Sequence, residues 1–221
     1  MRRALLLPAV LVAAAGLASA AVALPARNPR LEKLAIRSAD QALAKRAVLR
    51  RSDLAAGWSR LPTNTGEGSP PNCPGYRPDF SAYTITGRAE SAFQRRGRSI
   101  LSEVEVYESR ADARGDYALS TAPPAARCLG LTLRRQLAAA SVGFTAEVAS
   151  ALRVPAPAVG ERRAAYRIVV TLAAGGTRVS VYVDVLVFLR GRAIGALFFT
   201  SSPQPLGGRT SLAGRVDGRL R

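Results

Sequence analysis

A glycine pair at residues 175–176 limits the possible folds more than any other feature of the chain. On both sides of it apolar residues alternate with polar ones, at Tyr166, Ile168, Val170, Leu172, Val179, Val181, Val183 and Val185. A Gly-Gly dipeptide is typical of a two-residue hairpin turn, and alternation with a period of two predicts paired antiparallel strands. This turn sets Val185 opposite Tyr166 and Val179 opposite Leu172. Because a slip of one residue would set valines against Arg and Thr, the register is strongly specified.

The same register sets Arg167 directly opposite Asp184 on the other side of the sheet. Asp184 stands in an otherwise apolar strand, between Tyr182 and Leu186. We interpret the two residues as a cross-strand ion pair that fixes the register. The alternative is functional, since a partly buried carboxylate beside an Arg can bind a polar group of a ligand. The sequence identifies no other ligand-binding residue.

A second hairpin is predicted over residues 83–94 and 99–108, with its turn at Arg96-Gly97. That turn sets four pairs opposite each other: Phe93 with Ile100, Ala89 with Val104, Arg88 with Glu105, and Glu90 with Glu103. The last pair joins like charges, which disfavours this register unless a nearby Arg neutralises them.

Glu103 and Glu105 lie on one side of the predicted strand, a spacing that two catalytic carboxylates could use. Such pairs usually come from different elements on the two sides of a cleft. A solvent-exposed strand surface in an Arg-rich chain explains both residues with fewer assumptions. A hydrolase that relies on carboxylates is therefore the least favoured functional alternative.

Periodicity along the rest of the chain predicts further helices and strands. Helices are expected at 31–51, 110–119, 125–139 and 206–221, and strands at 144–154 and around 194–199. Together with the hairpins they predict an α+β fold with an antiparallel β-sheet of about five to six strands packed by helices. A helical segment at 27–52 precedes a single α+β domain at 53–221, which contains a Pro-rich loop at 61–79.

The N-terminus has the features of an export signal. Arg2 and Arg3 precede an apolar run at residues 4–17, and Ala18-Ser19-Ala20 offers a cleavage site with small residues. We predict a signal peptide over residues 1–20. The uncharged stretch 4–26 is long enough to span a bilayer, so a retained N-terminal anchor is the alternative. Both place the protein outside the cytoplasm, either secreted or membrane-anchored.

Export gives the two cysteines a structural interpretation. In an oxidising compartment a single pair of cysteines is most simply a disulfide bond, here between Cys73 and Cys128. A bridge closing a loop of about 55 residues contributes on the order of 4 kcal/mol in the chain-entropy model. Two free thiols are the alternative.

Several chemistries are excluded by composition. The chain contains no His and only two Cys. The chain therefore cannot form a His-based catalytic triad, a His zinc site or a four-thiolate metal site. The sequence also lacks a phosphate-binding loop and a nucleophile elbow. We predict a non-enzymatic protein without a metal or other cofactor.

The formal net charge is +17, from 32 basic and 15 acidic residues. All the basic residues except Lys33 and Lys45 are Arg, and they are scattered in short runs such as Arg95-Arg96 with Arg98. Aromatic residues make up 6% and are not interleaved with Arg, which disfavours nucleic-acid binding. An anionic polymer or lipid surface of the cell envelope is the partner that this charge would suit.

The order of segments resembles a known family. "SDLAAGW", "SEVEVYESRADARGDY", "AARCLG" and "VSVYVDVLVFLRGRAIGALFFTS" follow each other as in the extracellular sensor domain of PknH-type kinases and related envelope lipoproteins of actinobacteria. The resemblance covers residues 53–221. It implies an α+β fold similar to PsbP-like domains and a role in ligand sensing or in the envelope. The chain departs from the sensor domain in having one Cys pair instead of two, and it lacks a kinase domain and a lipid-attachment Cys.

Three functional hypotheses follow. The first is an exported non-enzymatic domain that binds an unknown small molecule or envelope component in a cleft between sheet and helices. The second is a basic envelope adaptor that binds an anionic polymer or membrane surface. The third is the carboxylate-based hydrolase.

Overall fold

A computed structural model describes residues 30–63, 72–140 and 145–221. The predicted signal peptide at 1–20 and the alternative anchor at 4–26 lie entirely outside these ranges, as do residues 64–71 of the Pro-rich loop. Within these ranges, none of the helices combines the length and the apolar character that crossing a bilayer requires.

The described residues form one sheet with flanking helices, which confirms the α+β class. The strands are β1 (Lys33–Leu34), β2 (Ser59–Leu61), β3 (Thr84–Arg95), β4 (Arg98–Tyr107), β5 (Thr145–Val154), β6 (Arg162–Ala174), β7 (Thr177–Arg190) and β8 (Ala193–Ser201). The helices are α1 (Ser38–Ala47), α2 (Arg110–Ser120), α3 (Ala125–Ala140) and α4 (Arg209–Gly218). A short 3₁₀ turn follows α1 at Arg51–Asp53.

The strands are ordered β1-β3-β4-β8-β7-β6-β5, and β2 also pairs with β3. The sheet has eight strands instead of the predicted five to six, because two short strands cover the outer edge of β3. β1 runs parallel to β3, so the sheet is mixed and not purely antiparallel. Every other pair is antiparallel, as predicted. Whether the fold is PsbP-like stays a prediction.

Both predicted hairpin registers are confirmed. In β6–β7, Val185 faces Tyr166, and Arg167 faces Asp184. In β3–β4, the four predicted pairs form, from Arg88–Glu105 to Phe93–Ile100, and a bulge between Ile85 and Gly87 shifts the register beyond them. β7 lies near the middle of the sheet, and its residues 183–189 are all buried.

The helix predicted over residues 31–51 is wrong in its first part, because α1 begins only at Ser38. The preceding residues are extended, with the Lys33 amide donating to the Tyr83 carbonyl over 2.8 Å and the Ala35 amide donating to the Ile85 carbonyl over 2.9 Å. These bonds satisfy backbone groups at the edge of β3. Pairing with the sheet edge thus outweighs the helical spacing of the apolar residues.

The segment 27–52 was predicted to precede the domain, and its described part, residues 30–52, packs directly on the sheet. A Cβ atom at Gly87 of β3 would lie 2.3 Å from backbone atoms of Asp40 in α1. Glycine is therefore required where the helix crosses the strand. Ala44 and Ala47 of α1 are fully buried in the same cluster as Phe93 and Val104.

Alternation along the strands divides the core between the two sides of the sheet. The side that we call the α1/α4 face buries Phe93, Phe188, Phe199 and Val216 together with α1 and α4. The opposite side, which we call the cleft face, buries Tyr107, Ile168, Val185 and Ile194 together with Tyr117 of α2. Both sides of the sheet are therefore covered.

Candidate functional site

A cleft of about 640 Å³ lies on the cleft face, between the sheet and helices α2 and α3. Its floor is formed by side chains that alternate along β7 and β8, namely Val185, Val187, Ile194, Ala196 and Phe198. Its walls come from α3, from the segment before β1 and from the loop before β3, including Leu129, Leu31, Tyr76 and Phe80. The result is a concave and mainly apolar surface with an opening to solvent.

A disulfide bond holds one wall of this cleft. Cys73 and Cys128 are joined, with their Cα atoms 5.5 Å apart, which confirms the predicted bridge. It ties the loop that carries Tyr76 to helix α3. The Tyr76 hydroxyl donates to the Leu119 carbonyl over 2.7 Å, and the Tyr166 hydroxyl donates to the Thr121 carbonyl over 2.8 Å. These contacts fix the end of α2 and the turn that follows it against the loop and the sheet.

One end of the cleft is acidic. Four carboxylates line it, from Glu103 and Glu105 of β4, Asp116 of α2 and Glu32 before β1. Among the described residues, the cationic side chains that line it are Arg88 and Arg135. A gathering of acids is unusual in a chain of net charge +17.

Arg88 joins the two glutamates of β4. Its Nη2 donates to Glu103 Oε1 over 3.0 Å, and its Nε lies 3.1 Å from Glu105 Oε1. This guanidinium is the cation that the Glu90–Glu103 pairing required. The expectation that Glu103 and Glu105 lie on a solvent-exposed strand surface is wrong, because their side chains are only 21% and 15% exposed. The half-exposed Glu108 of the same segment pairs instead with Arg37, outside the cleft.

The surroundings of Glu105 raise the pKa of its carboxyl group. The Tyr107 hydroxyl donates to Glu105 Oε2 over 2.7 Å. Burial raises the pKa of Glu105 well above its ordinary value, and the nearby Glu103 carboxylate adds to the rise, while Arg88 opposes it. Burial also raises the pKa of Tyr107, so its hydroxyl stays protonated and remains a donor.

Asp116 is the most deeply buried acid of the cleft, with 3% of the residue exposed. The Ser120 hydroxyl donates to Asp116 Oδ1 over 2.9 Å. Asp116 also makes side-chain hydrogen bonds with Tyr107 and Glu32. Burial raises the pKa of Asp116 to about 7, and the Glu32 carboxyl adds to the rise. Asp116 is therefore a buried, hydrogen-bonded carboxyl group whose pKa lies near neutral pH.

The predicted ion pair of Arg167 and Asp184 forms on the opposite side of the sheet. Arg167 Nε donates to Asp184 Oδ1 over 2.7 Å, and its Nη2 donates to Oδ2 over 3.2 Å. Arg209 of α4, which the sequence did not indicate, lies 2.7 Å from Oδ2. A smaller cavity of about 270 Å³ adjoins Asp184. Since guanidinium groups engage both carboxylate oxygens, this site fastens α4 to the sheet and leaves neither oxygen without a donor.

Sequence reasoning missed Asp116 and Glu32 as cleft residues. Asp116 stands in an ordinary polar helix, and nothing in its local sequence sets it apart from Asp112, which instead accepts hydrogen bonds from Thr84 and Ser109. Only the packing of α2 against β4 brings it near Glu105. The position of Arg88 beside Glu105 was predicted, since the hairpin register sets the two residues opposite each other, but its place in a cleft was not.

The carboxylates of the cleft do not form a metal site. Over residues 30–63, 72–140 and 145–221, no three acidic or cysteine side chains are grouped in a way that could hold a metal ion. At the acidic end, Arg88 bridges Glu103 and Glu105, and Asp116 hydrogen-bonds with Glu32 and Tyr107.

No protein-family model matches the chain, and no curated protein matches its sequence.

Proposed function

We propose that the protein is an exported, non-enzymatic domain that binds a small ligand in the cleft between the sheet and helices α2 and α3. The observation that carries this proposal is the cleft itself, about 640 Å³ in volume, with an apolar floor and polar groups gathered at one end. Small-molecule sites in proteins have this size and this mixture of apolar walls with a few polar groups.

The arrangement of Arg88 favours binding over catalysis. A carboxylate hydrolase needs one acid that donates a proton and one carboxylate that attacks or activates water, with room between them. Here the guanidinium of Arg88 contacts both Glu103 and Glu105. The space between the two side chains is occupied, which argues against the hydrolase hypothesis.

An extracytoplasmic location suits the rest of the molecule. The Cys73–Cys128 bridge is compatible with an oxidising compartment. The signal peptide predicted at 1–20 would deliver the chain there. A ligand-binding domain in the envelope is also the role that the resemblance to PknH-type sensor domains implies.

Filling the cleft tests this function. Nile red, an uncharged dye that fluoresces in apolar sites, should bind the wild-type protein. Ala196→Trp places a large side chain on the cleft floor and should abolish the fluorescence. Ala118→Trp adds the same side chain to the exposed surface of α2 and serves as the matched control. If Ala196→Trp is folded and binds the dye as wild type does, the proposal is wrong.

A basic tip of the sheet favours the adaptor as a second candidate function. Arg95 faces Arg98 across the β3–β4 hairpin, with Arg96 in the turn between them and Arg60 on the neighbouring β2. Among the described residues, none of the four is joined to an acid by a salt bridge. Such a concentration of unpaired guanidinium groups suits an anionic polymer or lipid surface.

Vesicles test the adaptor function. Vesicles with anionic lipid should sediment the wild-type protein, and about 0.5 M salt should release it, because salt screens exposed charges. The double variant Arg96→Glu/Arg98→Glu should stay in solution. Sedimentation that is unchanged by salt and by the charge reversal would exclude this function.

A further inference from the structure

Three cations of the basic tip lie on one side of the sheet. Arg95 of β3 faces Arg98 of β4, and Arg60 of β2 faces Phe93 of β3. Residues that face each other on antiparallel strands point to the same side, and so do residues two positions apart on one strand. These three Arg residues therefore share the side of Phe93, which is the α1/α4 face. Three neighbouring strands present them as a row, which we call the arginine row.

The turn beside the arginine row is unfavourable for its own sequence. Arg96 has a φ angle of 43°, in the left-handed region where hairpin turns usually carry Gly, Asn or Asp. Among the described residues it is the one residue other than Gly with a positive φ. Arg98 lies directly opposite Arg95, and like charges in that position repel each other. Because local rules of folding are broken most often where function requires a residue, these two departures indicate that the tip binds something.

The half-buried Arg95 lies along the sheet instead of extending from the turn. A Cβ atom at Gly57 would lie 3.3 Å from Arg95 Nε, so the guanidinium end lies beside the segment that leads into β2. Arg60 and Arg98 are exposed. The row is thus open to solvent along the side of the tip, while Arg96 forms part of its apex.

This arrangement suits a chain better than a flat surface. A bilayer that approaches the tip end-on meets Arg96 first, whereas the row lies on the side. Surfaces that bind bilayers commonly insert apolar side chains. Of the described residues, those with large exposed apolar side chains are Leu34, Ile36 and Leu152. Leu34 pairs at the far end of β3 from the turn, and Leu152 lies on β5 at the other edge of the sheet.

Phosphate is the anionic group that such a row suits best. The planar guanidinium fork of Arg matches the oxygens of a phosphate group and donates two parallel hydrogen bonds to it. A nucleic acid would also need aromatic side chains on which its bases stack. The neighbouring aromatic residues, Trp58 and Phe93, pack into the core instead.

We infer that the arginine row is a docking surface for a linear phosphate polymer without bases, whose phosphate oxygens accept hydrogen bonds from Arg60, Arg95 and Arg98. This inference rests on the adaptor function proposed above as the second candidate. It names the polymer, and not the lipid surface, as the partner.

Competition against vesicles tests the choice of partner. Long-chain polyphosphate is added to wild-type protein bound to anionic vesicles, at a phosphate concentration equal to that of the accessible lipid. We expect polyphosphate to release the protein, because the chain contacts the whole row. A single-stranded oligonucleotide with the same number of phosphates should release less of it.

Charge reversal tests the place of binding. Arg60→Glu/Arg98→Glu should weaken polyphosphate binding at least roughly tenfold in calorimetry, because charge-assisted hydrogen bonds are lost. The matched control is Arg162→Glu/Arg163→Glu, which reverses an exposed pair at the start of β6 and should weaken binding less. Thermal melts establish that both variants are folded.

Replacing Arg96 tests the reading of the turn. Asn is favoured before Gly in a two-residue hairpin turn, so Arg96→Asn should raise the melting temperature. It should also weaken polyphosphate binding, because one cation beside the row is removed. A variant that is less stable than wild type, or that binds polyphosphate as tightly, would contradict the reading.

The outcomes separate the inference from the function beneath it. If neither polyphosphate nor anionic vesicles bind the wild-type protein, the adaptor function fails and the inference fails with it. If vesicles bind and polyphosphate does not release the protein, or if the oligonucleotide releases more of it, the partner is wrong while the adaptor function stands. If the two charge reversals weaken binding equally, the assignment to the arginine row is wrong.

Discussion

The two faces of the sheet treat buried carboxylates in opposite ways. On the α1/α4 face each acid is held by an Arg: Asp40 by Arg192, Asp53 by Arg219, Asp184 by Arg167, and Asp217 by Arg190. On the cleft face Glu103 and Glu105 share one Arg, and Asp116 has none. The difference teaches that acids paired with Arg fasten helices to the sheet, whereas Asp116, whose partners are Ser120, Tyr107 and Glu32, is buried without a neutralising cation among the described residues.

The pKa shifts follow the same division. Hydrogen bonds from Arg192 hold the pKa of Asp40 below its ordinary value. Burial acts to raise the pKa of Asp53, but hydrogen bonds from Arg219 and from the Arg50 amide outweigh it, and the pKa is lowered. Burial of Asp116 raises its pKa to about 7, without an Arg to reverse it. Lowering the pH therefore destabilises the ion pairs of the α1/α4 face. On the cleft face it protonates Asp116 and removes the cost of burying a charged carboxylate there.

The largest expected loss of stability comes from removing the disulfide bond that holds the wall of the cleft. The double variant Cys73→Ala/Cys128→Ala removes a bridge across 55 residues of sequence separation. It should lower the free energy of unfolding by about 4 kcal/mol, because the unfolded chain gains freedom. Urea unfolding under oxidising conditions measures the loss. Wild type with its bridge reduced is the control, and a variant as stable as oxidised wild type would refute the structural role.

Breaking one ion pair of the α1/α4 face comes next. Asp184→Ala leaves Arg167 and Arg209 without their carboxylate in a largely buried position. We expect a loss of about 3 kcal/mol in urea unfolding, at the low end for buried pairs because both Arg side chains are partly exposed. Glu147→Ala, an exposed acid on β5, is the control and should change little. Equal effects of the two variants would remove the distinction between paired and solvated acids.

On the cleft face, removing an acid should stabilise the protein. The raised pKa of Asp116 means that the folded state keeps a proton that the unfolded chain releases as pH rises from about 4 to about 7, so folded stability falls across that window. Asp116→Asn has no proton to lose. It should be more stable than wild type by about 2 kcal/mol above pH 7, less than the full pKa shift implies, because burying the polar amide group also costs free energy.

Asp40→Asn provides the opposite sign and serves as the matched comparison. The lowered pKa of Asp40 contributes stability above its unfolded pKa, which is lost as pH falls through the folded pKa. This variant should be destabilised at neutral pH and approach wild type in acid. Thermal melts over a pH series measure both variants. A destabilised Asp116→Asn at alkaline pH would contradict the account of the cleft.

The smallest effect is expected at an acid that is neither buried nor in the cleft. Glu108 pairs with Arg37, but the two side chains are 48% and 53% exposed. Glu108→Gln should change the free energy of unfolding by less than about 0.5 kcal/mol, since water and salt screen such pairs. A loss as large as that of Asp184→Ala would show that burial does not decide what an ion pair contributes.

The fold was predictable where side chains alternate strictly. Gly175-Gly176 and the valines that follow specify the β6–β7 register, and with it the Arg167–Asp184 pair. The N-terminal segment was less predictable, because Leu31, Leu34 and Ala35 fit a helical stripe equally well. Its extended form depends on the open edge of β3, which lies about 50 residues further along the chain.

The candidate site was predictable only in part, for a related reason. Glu103 and Glu105 were visible as a pair on one side of a strand, and Arg88 as their neighbour. Whether that side faces solvent or a cleft depends on where α2 and α3 pack, and this is a tertiary property. Asp116 acquires its environment entirely from that packing.

The central claim is that the two faces of the sheet hold their buried acids in opposite ways, with Asp40 kept ionised by Arg192 and Asp116 kept protonated by its burial. A carboxyl-detected NMR titration of the protein tests this claim most directly. The account predicts that the pKa of Asp116 is about 7 and that the pKa of Asp40 lies below the ordinary range of Asp. An Asp116 with a pKa in the ordinary carboxyl range would contradict it.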